Sequence, residues 1–367
     1  MSAKAPVMIM AGGTGGHIFP ALAVAEVLRK RNIPVVWLGS RNSMEERLVP
    51  STGIEFIGLS VKGLRGKGIA TLLIAPFKLS WAVMQAAVAV VKRRPRAVLG
   101  LGGFASGPGG LAAVILRKPL YVQEQNAIPG MTNRTLARFS RCVMEGFSGS
   151  FQNLTKPVLH TGNPVRQTIE QLASPAERMA GRTGPARLFV MGGSLGAKSL
   201  NEVVPETLAL LDETYRPEVR HQTGELHLQA ARDCYRQSNV KADVVAFIDD
   251  MAEVYGWADL VIARAGALTV AELAQAGLAS ILVPYPHAVD DHQTVNAQVL
   301  VQVGAAVLIA DHELTTARLK IELTHLLASR EKLFQMAETA HTQARPNAAE
   351  TVARVCLGEI DCAGVAA

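Results

Sequence analysis

The sequence predicts an α/β protein built from two Rossmann-like domains with parallel sheets. Short β-rich runs alternate along the chain with longer helical patterns, which is typical of parallel strands covered by helices on both faces. The length of 367 residues exceeds what one hydrophobic core usually serves. A glycine-rich turn also occurs twice, as MAGGTGG at 10–16 and as VMGGSLG at 190–196.

The two copies of this turn predict one domain each. Both follow an apolar strand and precede a helical pattern, so the same strand–turn–helix unit opens both halves of the chain. The Gly-Asn-Pro sequence within HTGNPVR, 160–166, is typical of a linker. We therefore expect a first domain at 1–164, a second at 165–344, and a C-terminal helix, about 345–367, that packs back on the first domain.

The individual elements follow from local pattern. Strands are predicted at VMIMA, PVVWLG, AVLGLGG, LYVQEQ, RLFVMGG, VVAFI, DLVIAR and SILVPY. Helices are predicted at Ala21–Lys30, Leu79–Lys92, Leu200–Leu211, Leu268–Ala276 and His292–Val303.

Composition narrows the class of protein. The 49% of apolar and 19% of charged residues indicate a well-folded globular chain. A net charge of +6 favours an anionic partner, while only 5% aromatic residues argue against a nucleic-acid stacking surface. Four scattered cysteines without metal-ligand spacing favour a reduced cytosolic compartment. The N-terminal apolar run is too short for a signal peptide, and the apolar stretch 69–91 is interrupted by Pro76, Lys78 and Gln85, so we expect no membrane crossing.

The glycine turns do not match the two best-known phosphate loops. GGTGGH does not fit G-x-G-x-x-G, and the second strand ends in WLGSRNS without an acidic residue for a ribose, so NAD binding is disfavoured. GPGGLA, 107–112, does match G-x-G-x-x-A, but a single match of this kind is weak evidence for dinucleotide binding. GGSLGAKS, 192–199, is a Walker A loop with Ala197 in place of its second glycine, which disfavours ATP, and Lys198 is then a solvated residue.

A simpler interpretation of the turns remains. Glycines at a strand-to-helix turn let backbone N–H groups approach a phosphate, and the helix N-terminus adds partial positive charge. Two such turns are expected to face each other across a cleft at the carboxyl ends of the strands. The alternative is that one or both are merely tight turns.

Nine motifs, taken in order, resemble the MurG family of N-acetylglucosamine transferases over nearly the whole chain. They are GGTGGHIFPALA, GLRGKG, GGFASGPGGLAA, EQNAIPG, GNPVR, GGSLGA, FIDDM, ARAGALTVAELAQAG and VPYPHAVDDHQTVNA. The resemblance implies a GT-B fold and an inverting hexosyltransferase without an obligatory cofactor or metal. The implied donor is UDP-N-acetylglucosamine. The implied acceptor is the muramyl 4-hydroxyl of undecaprenyl-pyrophosphoryl-N-acetylmuramyl-pentapeptide (lipid I), which gives lipid II in peptidoglycan synthesis. One departure is Leu195, where the family commonly carries Gln.

Such a transfer needs a base for the acceptor hydroxyl, and two residues are candidates. His17 ends the first glycine turn, and imidazole accepts protons near neutral pH. Alternatively, it caps or packs the helix, or holds acceptor phosphate as a cation. Glu124, where a strand meets a loop, is the rival base, and an ordinary salt-bridged glutamate is its alternative. We rank His17 first.

Substrate-binding residues are assigned by the resemblance, each with a suitable chemistry. Glu272 suits the ribose diol, Arg166 and Ser194 suit the diphosphate, Gln293 suits the sugar hydroxyls, and backbone groups of Ile248 suit the uracil edge. An alternative for Glu272 is an acidic residue favoured by a first helical turn. The remaining donor-side residues are Ala267, Leu268, Thr269, Val270 and Ala271, and the first-domain residues are Thr14, Gly15, Gly16 and Asn126.

Two further stretches concern the lipid acceptor. The first is a basic loop at 61–68, either a pyrophosphate clamp or a solvated loop. The second is an apolar patch near further cations, which suits an anionic membrane surface, although part of it must be core. The loop cations are Lys62, Arg65 and Lys67, the patch residues are Leu72, Leu73, Ile74, Phe77, Trp81 and Val83, and the nearby cations are Lys78, Lys92, Arg93, Arg94 and Arg96. With the resemblance, this predicts a peripheral enzyme on the cytoplasmic face of the bacterial inner membrane, with the cell-wall and division machinery as further expected partners.

Three rival functions stay open at this stage. A UDP-sugar 2-epimerase on the same fold needs no lipid, and the patch around Phe77 and Trp81 argues mildly against it. A sensor of nucleotide sugars would bind UDP tightly without acceptor-dependent product. A Walker-type ATPase would release phosphate from ATP.

Overall fold

The computed structural model describes residues 4–61, 69–193 and 196–362, with the backbone alone for 69–75 and 289. The described residues form two compact units. Unit 1 runs to Arg166 and takes up the chain again from Asn347, and unit 2 is Gln167–Pro346. The loop cations Lys62, Arg65 and Lys67 lie outside the described residues, as do Ser194 and Leu195.

Unit 1 is a parallel sheet covered by helices. In its described part, seven strands follow the order β3-β2-β1-β4-β5-β6-β7, with every pairing parallel. The strands are β1 (Val7–Ala11), β2 (Val35–Ser40), β3 (Glu55–Leu59), β4 (Ala97–Gly102), β5 (Leu120–Glu124), β6 (Cys142–Glu145) and β7 (Val158–His160). The helices are α1 (Gly15–Lys30), α2 (Met44–Ser51), α3 (Ile69–Arg93), α4 (Ser106–Ile115), α5 (Met131–Ala137) and, from the C-terminal segment, α15 (Ala348–Leu357).

Both faces of this sheet are buried because side chains alternate along each strand. Val7 and Ile9 of β1 belong to a core that includes α1 and α15, whereas Met8 and Met10 belong to a core that includes α3 and α4. The fully buried Trp37 fixes β2 to β1, since its Nε1 donates to the carbonyl of Ala11 at 3.0 Å. Continuous apolar strands in the sequence therefore mark a sheet covered on both sides.

The GPGGLA sequence serves packing in α4. A Cβ on Gly109 would lie 2.3 Å from the sulfur of Met10, and one on Gly110 would lie 2.6 Å from Leu136. These glycines let α4 lie close to the sheet and to α5.

The C-terminal helix α15 packs on α1 within unit 1. Val352 and Val355 join the core that holds Val7, and the Arg31 guanidinium pairs with Glu359 at 3.1 Å. Two cysteines that the sequence gives no pairing are brought together here. Cys142 on β6 and Cys362 form a disulfide with their Cα atoms 5.2 Å apart, so the expectation of reduced cysteines does not hold for this pair.

Unit 2 repeats the same architecture. In its described part, six parallel strands follow the order β10-β9-β8-β11-β12-β13. The strands are β8 (Arg187–Met191), β9 (Glu218–Gln222), β10 (Asp243–Val245), β11 (Leu260–Ala263), β12 (Ala279–Leu282) and β13 (Ala306–Leu308). The helices are α6 (Gln167–Glu170), α7 (Pro175–Met179), α8 (Lys198–Ala209), α9 (Leu228–Gln237), α10 (Met251–Trp257), α11 (Ala267–Ala276), α12 (His292–Val301), α13 (Thr316–Leu327) and α14 (Arg330–Thr342), with 3₁₀ turns at Glu213–Tyr215, Glu225–His227, Val289–Asp291 and Asp311–Glu313.

The predicted fold class of two Rossmann-like α/β domains is confirmed. Several local boundaries differ, three of them most clearly. Helix α1 begins at Gly15, six residues before the predicted start, because glycines of the turn already adopt helical geometry. Helix α3 begins at Ile69, and the strand within VVAFI ends at Val245. Among the described residues, no helix combines the length and the apolar composition that a membrane crossing requires.

Candidate active site

The first glycine turn joins the carboxyl end of β1 to α1. Gly13 has φ +93°, which favours glycine, and helix α1 begins two residues later. Thr14 is the N-cap residue, but its side chain makes no capping hydrogen bond. The first N–H groups of α1, at the predicted residues Gly15 and Gly16, therefore lie at an uncapped, partially positive helix end.

A buried carboxylate occupies the other side of this turn. Glu45 on α2 is fully buried, and its two oxygens accept from the N–H of Gly13 at 3.2 Å and of Ser40 at 3.0 Å. A Cβ on Gly12 would lie 2.2 Å from Glu45 Oε1. The N–H of Gly13 is thus used to build the turn, and phosphate binding by this turn would fall to the helix end instead.

His17 lies in the first turn of α1, with its ring against the end of β4. A Cβ on Gly102, whose φ is +108°, would lie 2.9 Å from the ring Cε1. The ring Nδ1 is 2.7 Å from Oε1 of Gln125, which follows β5. The ring is half-buried, so glycine at 102 and the order β1-β4-β5 together place an oriented imidazole beside the glycine turn.

The rival candidate Glu124 is buried and surrounded by donors. Its Oε1 accepts from the backbone and side-chain nitrogens of Asn126 at 2.9 and 3.1 Å. Its Oε2 accepts from the Gly130 N–H and the Asn133 Nδ2, both at 3.0 Å. Four N–H donors on one carboxylate organise the loop 125–130, and they also hold the predicted binding residue Asn126.

Arg166, the predicted diphosphate partner, lies at the end of unit 1. Its guanidinium carbon is 5.3 Å from the ring centroid of Phe19, which follows His17 by two residues on α1. The structure therefore brings Arg166 to the same helix end as Thr14, Gly15, Gly16 and His17.

The second glycine turn follows β8. A Cβ on Gly192 would lie 2.3 Å from the Ala197 nitrogen, and one on Gly196, at φ +77°, would lie 2.0 Å from the Thr223 carbonyl oxygen. Ala197 is the N-cap residue of α8 and makes no side-chain cap. Lys198 is 75% exposed and pairs with Glu202 one turn along α8. Its side chain is thus directed to solvent.

Gln222, at the end of β9, joins this turn to the predicted uracil-binding residue. Its Oε1 accepts from the Ile248 N–H at 3.0 Å, and its Nε2 is 3.5 Å from the Gly193 carbonyl oxygen. The N–H of Ile248 is therefore used within the protein. The backbone group of Ile248 that remains for reading a base edge is its carbonyl.

The predicted donor-binding run 267–272 forms the start of α11. Gly266 is its N-cap residue and carries no capping side chain, and the first internal bond runs from the Val270 N–H to the Gly266 carbonyl at 2.9 Å. The N–H groups of Ala267, Leu268 and Thr269 precede that bond, so they form a further uncapped helix end. The side chains of Ala267, Leu268 and Val270 are buried, so these residues offer backbone contacts, and Ala271 is half-buried.

Glu272, the predicted ribose partner, is buried one turn along α11 at 4% exposure. Its Oε2 accepts from the hydroxyl of Tyr255 at 3.1 Å. Tyr255 is itself fully buried, with its ring edge-on to Phe189 at 6.1 Å between centroids. This packing fixes the direction of the Glu272 carboxylate.

Gln293, the predicted sugar-binding amide, lies in the first turn of α12. Its Oε1 accepts from the Tyr285 N–H at 2.9 Å. The neighbouring loop is held by Arg264, which donates to the carbonyls of Val283 and Pro284 and pairs with Asp311. Unit 2 thus gathers residues after β8, β9, β11 and β12 at the carboxyl edge of its sheet, where open α/β sheets bind ligands.

Sequence reasoning missed the polar residues that hold these sites together. Gln125 and Asn163 lie inside the motifs EQNAIPG and GNPVR, but nothing local assigns them a role. Glu45 and Gln222 lie outside every motif, and their partners are 32 and 26 residues away along the chain. Within the described ranges, no group of three or more His, Cys, Asp or Glu side chains is arranged to hold a metal ion.

Two parallel α/β units, each with a glycine turn and an uncapped helix end at the carboxyl edge of its sheet, define the class of two-domain Rossmann-type proteins, whose sheet edges suit phosphate groups. Family models agree in both halves. The glycosyltransferase family 28 N-terminal domain matches residues 7–145, and the glycosyltransferase family 28 C-terminal domain matches residues 187–352. The chain belongs to glycosyltransferase family 28.

Relatives of known name support this assignment. The UDP-N-acetylglucosamine–N-acetylmuramyl-(pentapeptide) pyrophosphoryl-undecaprenol N-acetylglucosamine transferase of Alkalilimnicola ehrlichii is 54% identical over 354 residues, covering 96% of this chain and 99% of that protein. Its namesake from Marinobacter nauticus is 52% identical, covering 95% and 96%. The crystal structure of Acinetobacter baumannii MurG is 39% identical, with a TM-score of 0.82 and coverage of 96% and 99%. A UDP-GlcNAc 2-epimerase from Neisseria meningitidis, at 12% identity and a TM-score of 0.66, shares the fold.

Proposed function

We propose that this chain transfers N-acetylglucosamine from UDP-N-acetylglucosamine to the muramyl 4-hydroxyl of lipid I and releases lipid II and UDP. The observation that carries the proposal is the 54% identity that spans 96% of this chain and 99% of a transferase named for that reaction. The family membership of both halves supports the same reaction class.

Unit 2 binds the donor in this proposal. The uncapped starts of α11 and α8 direct N–H groups at the diphosphate, where helix ends stabilise negative charge. Glu272, aimed by Tyr255, accepts hydrogen bonds from the ribose diol, and Gln293 contacts the sugar hydroxyls. The Ile248 carbonyl reads the uracil. A shared crevice for the two glycine turns stays a prediction.

Unit 1 supplies the base. His17 removes the proton from the acceptor hydroxyl while that oxygen forms a bond to C1 of the sugar and the bond from C1 to the diphosphate oxygen breaks. UDP leaves with the electron pair, and Arg166 and the helix ends offset its charge. Glu124 is the weaker candidate because four N–H donors already surround its carboxylate. It instead holds Asn126 in place.

The acceptor's lipid requires a membrane surface, and unit 1 offers an apolar one on α3. Phe77 is 77% and Trp81 is 53% exposed, and Met84, Val88 and Val91 continue the same helical face. The opposite face packs into the core through Ala82, Ala86, Ala89 and Val90. Exposed cations lie on or directly after this helix, with Lys78 and Lys92 on α3 and Arg94 following its last residue.

An exposed apolar face bordered by cations suits the interface of an anionic bilayer. We place the protein as a peripheral enzyme on the cytoplasmic face of the bacterial inner membrane. Association with the cell-wall and division machinery stays a prediction from the resemblance. The side chains of Leu72, Leu73 and Ile74 lie outside the described residues.

The reaction is tested with purified protein, labelled UDP-N-acetylglucosamine and a lipid-linked muramyl peptide acceptor. The expected result is acceptor-dependent UDP release with one N-acetylglucosamine gained by the lipid. Epimerised UDP-sugar without lipid would instead support the 2-epimerase, and tight UDP binding without product would support a sensor. Either of these outcomes would overturn the proposal.

The role of His17 is tested by His17→Ala. Loss of the base should lower kcat by about 100-fold or more, with UDP affinity retained. The control is His312→Ala, because the His312 side chain is 83% exposed and lies on a 3₁₀ turn of unit 2. Near-normal kcat for His17→Ala would shift the assignment to Glu124.

Membrane binding is tested by sedimentation with vesicles containing anionic phospholipid. The double variant Phe77→Ser, Trp81→Ser should bind at least about 10-fold more weakly, since each exposed apolar side chain contributes roughly 1 kcal/mol or more to insertion. Ile321→Ser, which removes an equally exposed side chain from unit 2, is the control. Equal binding of vesicles by the double variant and the control variant would show that α3 does not contact the membrane.

A further inference from the structure

A buried chain of amide side chains ends on His17. Gln125 Oε1 is 2.7 Å from the ring Nδ1, and Gln125 Nε2 donates to the backbone carbonyl of Gln123 at 3.1 Å and to the Gln123 side-chain oxygen. Gln123, Gln125 and Asn163 are all at most 3% exposed. None of the three was assigned a function by the sequence.

The orientation of each amide in this series is fixed by Asn163, at the end away from His17. Asn163 Nδ2 donates to the backbone carbonyl of Gln125 at 3.0 Å, so the Asn163 Oδ1 faces Gln123 Nε2 at 3.4 Å. Gln123 therefore presents its oxygen to Gln125 Nε2, and Gln125 presents its oxygen to His17. Flipping any amide would place N–H against N–H or oxygen against oxygen in a buried site, which costs about 1–3 kcal/mol for each unmade bond.

An oxygen facing the ring decides which ring nitrogen carries the proton. Because Gln125 Oε1 only accepts, neutral His17 must donate from Nδ1, and the lone pair then lies on Nε2. We propose that Gln125 is a positioning residue that holds His17 in its Nδ1–H tautomer, so that Nε2 is the basic nitrogen. This inference rests on the proposed role of His17 as the base.

Two glycines beside this series of amides leave room for the Asn163 amide and the His17 ring. A Cβ on Gly146 would lie 2.1 Å from Asn163 Oδ1, and one on Gly102 would lie 3.1 Å from His17 Nδ1. Glycine at both positions admits the amide at one end and the ring at the other. β4, β5, β6 and β7 are consecutive neighbours in the sheet and β4 pairs with β1, so their carboxyl ends bring this series of amides to the turn after β1.

A neutral amide and a carboxylate have different effects on a histidine base. A carboxylate beside Nδ1–H stabilises the imidazolium form and so keeps the ring protonated to higher pH, where it no longer accepts a proton. An amide oxygen orients the ring and fixes its tautomer without adding charge.

The tautomer is measured directly by long-range ¹H–¹⁵N correlation of ring-labelled histidines in the full-length protein, with His17 assigned from the spectrum of His17→Gln. Above the titration range, we expect a pyrrole-type shift at Nδ1 and a pyridine-type shift at Nε2, opposite to the preference of imidazole in water. In Gln125→Met, which has similar length but no acceptor, the pattern should move to Nε2–H. An Nε2–H tautomer in the unaltered protein would overturn the proposal.

Kinetics give an independent test. Gln125→Met should lower kcat about 10- to 100-fold and change KM for UDP-N-acetylglucosamine by less than about 2-fold. Gln125→Glu keeps an acceptor, so it should retain the Nδ1–H tautomer and move the acid limb of the kcat pH profile to higher pH. Gln85→Met is the matched control, because the Gln85 amide is half-buried but bonds to Ser60 on a different part of unit 1. Full activity of Gln125→Met would refute the role.

Different outcomes test the role of His17 as the base and the role of Gln125 as its positioning residue. If His17→Ala is inactive and Gln125→Met is fully active, His17 remains the proposed base and the role of Gln125 is refuted. Near-normal activity of His17→Ala would show that His17 is not the base, whichever tautomer its ring adopts. Thermal unfolding of each variant identifies a loss of activity that comes only from misfolding, and the NMR measurement on the unaltered protein is independent of both folding defects and turnover.

Discussion

A buried histidine in unit 2 should make its stability fall steeply in mild acid. His221 on β9 is fully buried, and its Nδ1 is 2.9 Å from the Tyr235 hydroxyl. Among the described residues, its Nε2 has no hydrogen-bond partner. Burial lowers the pKa of His221 to about 3. Burial also raises the pKa of Tyr235, so the phenol stays neutral and cannot compensate an imidazolium.

The sign of the effect follows from proton binding. Between the ordinary histidine pKa of about 6.5 and the folded value of about 3, the unfolded chain binds a proton that the folded chain excludes. The contribution to stability is therefore complete above about pH 6.5 and is lost as pH falls towards about 3. At roughly 1.4 kcal/mol per pH unit, the loss between pH 7 and pH 5 is about 2 kcal/mol.

The perturbation is His221→Gln, which removes the titrating group and keeps an amide that can bond to Tyr235. The measurement is urea denaturation at pH 5, 6 and 7, combined with hydrogen exchange of peptides from β8 and β9, so that unit 2 is followed by itself. The free energy of unfolding should fall about 2 kcal/mol less in the variant than in the unaltered protein between pH 7 and pH 5. The exposed His312→Gln is the control. Parallel pH dependences for His221→Gln and the unaltered protein would refute the reasoning.

Two further predictions concern the sites themselves. Gly102→Ala should lower kcat at least about 10-fold and destabilise unit 1 by roughly 1–3 kcal/mol, because the added Cβ would lie 2.9 Å from His17 Cε1 at a residue with φ +108°. Turnover and thermal unfolding measure the two effects. An unchanged kcat would contradict the position of the His17 ring. Gln222→Leu should weaken UDP binding by about 10-fold, because the Ile248 N–H and the Gly193 carbonyl lose their shared partner; calorimetry with UDP measures it, and unaltered affinity would show that the bridge does not shape the donor site.

Much of the fold was predictable because its signals are local. Buried strands such as VMIMA are continuous apolar runs, and glycine at a strand end marks a turn into a helix. These patterns gave the α/β class and two Rossmann-like domains, and ordered motifs gave the family. Boundaries were less accurate, as at Gly15, because a glycine in a turn and a glycine in a first helical turn look alike in sequence.

The sites were predictable only in part. Local sequence singled out His17 at the end of a glycine turn, whereas the family resemblance assigned the 267–272 run, which also opens a helix after a glycine. It did not distinguish His17 from Glu124, because hydrogen-bond saturation of a carboxylate depends on which donors the folded loop brings to it.

By itself, the sequence determined which segments are strands, turns and helices and which family they belong to, because periodicity and turn chemistry act over a few residues. Only the tertiary structure decided that Glu45 occupies the first turn, that Gln125 faces His17 from 108 residues away, and that Cys142 meets Cys362. The physical reason is that a parallel sheet orders its strands differently from the chain. Buried polar groups then find partners across the sheet edge, and no local pattern records which partners those are.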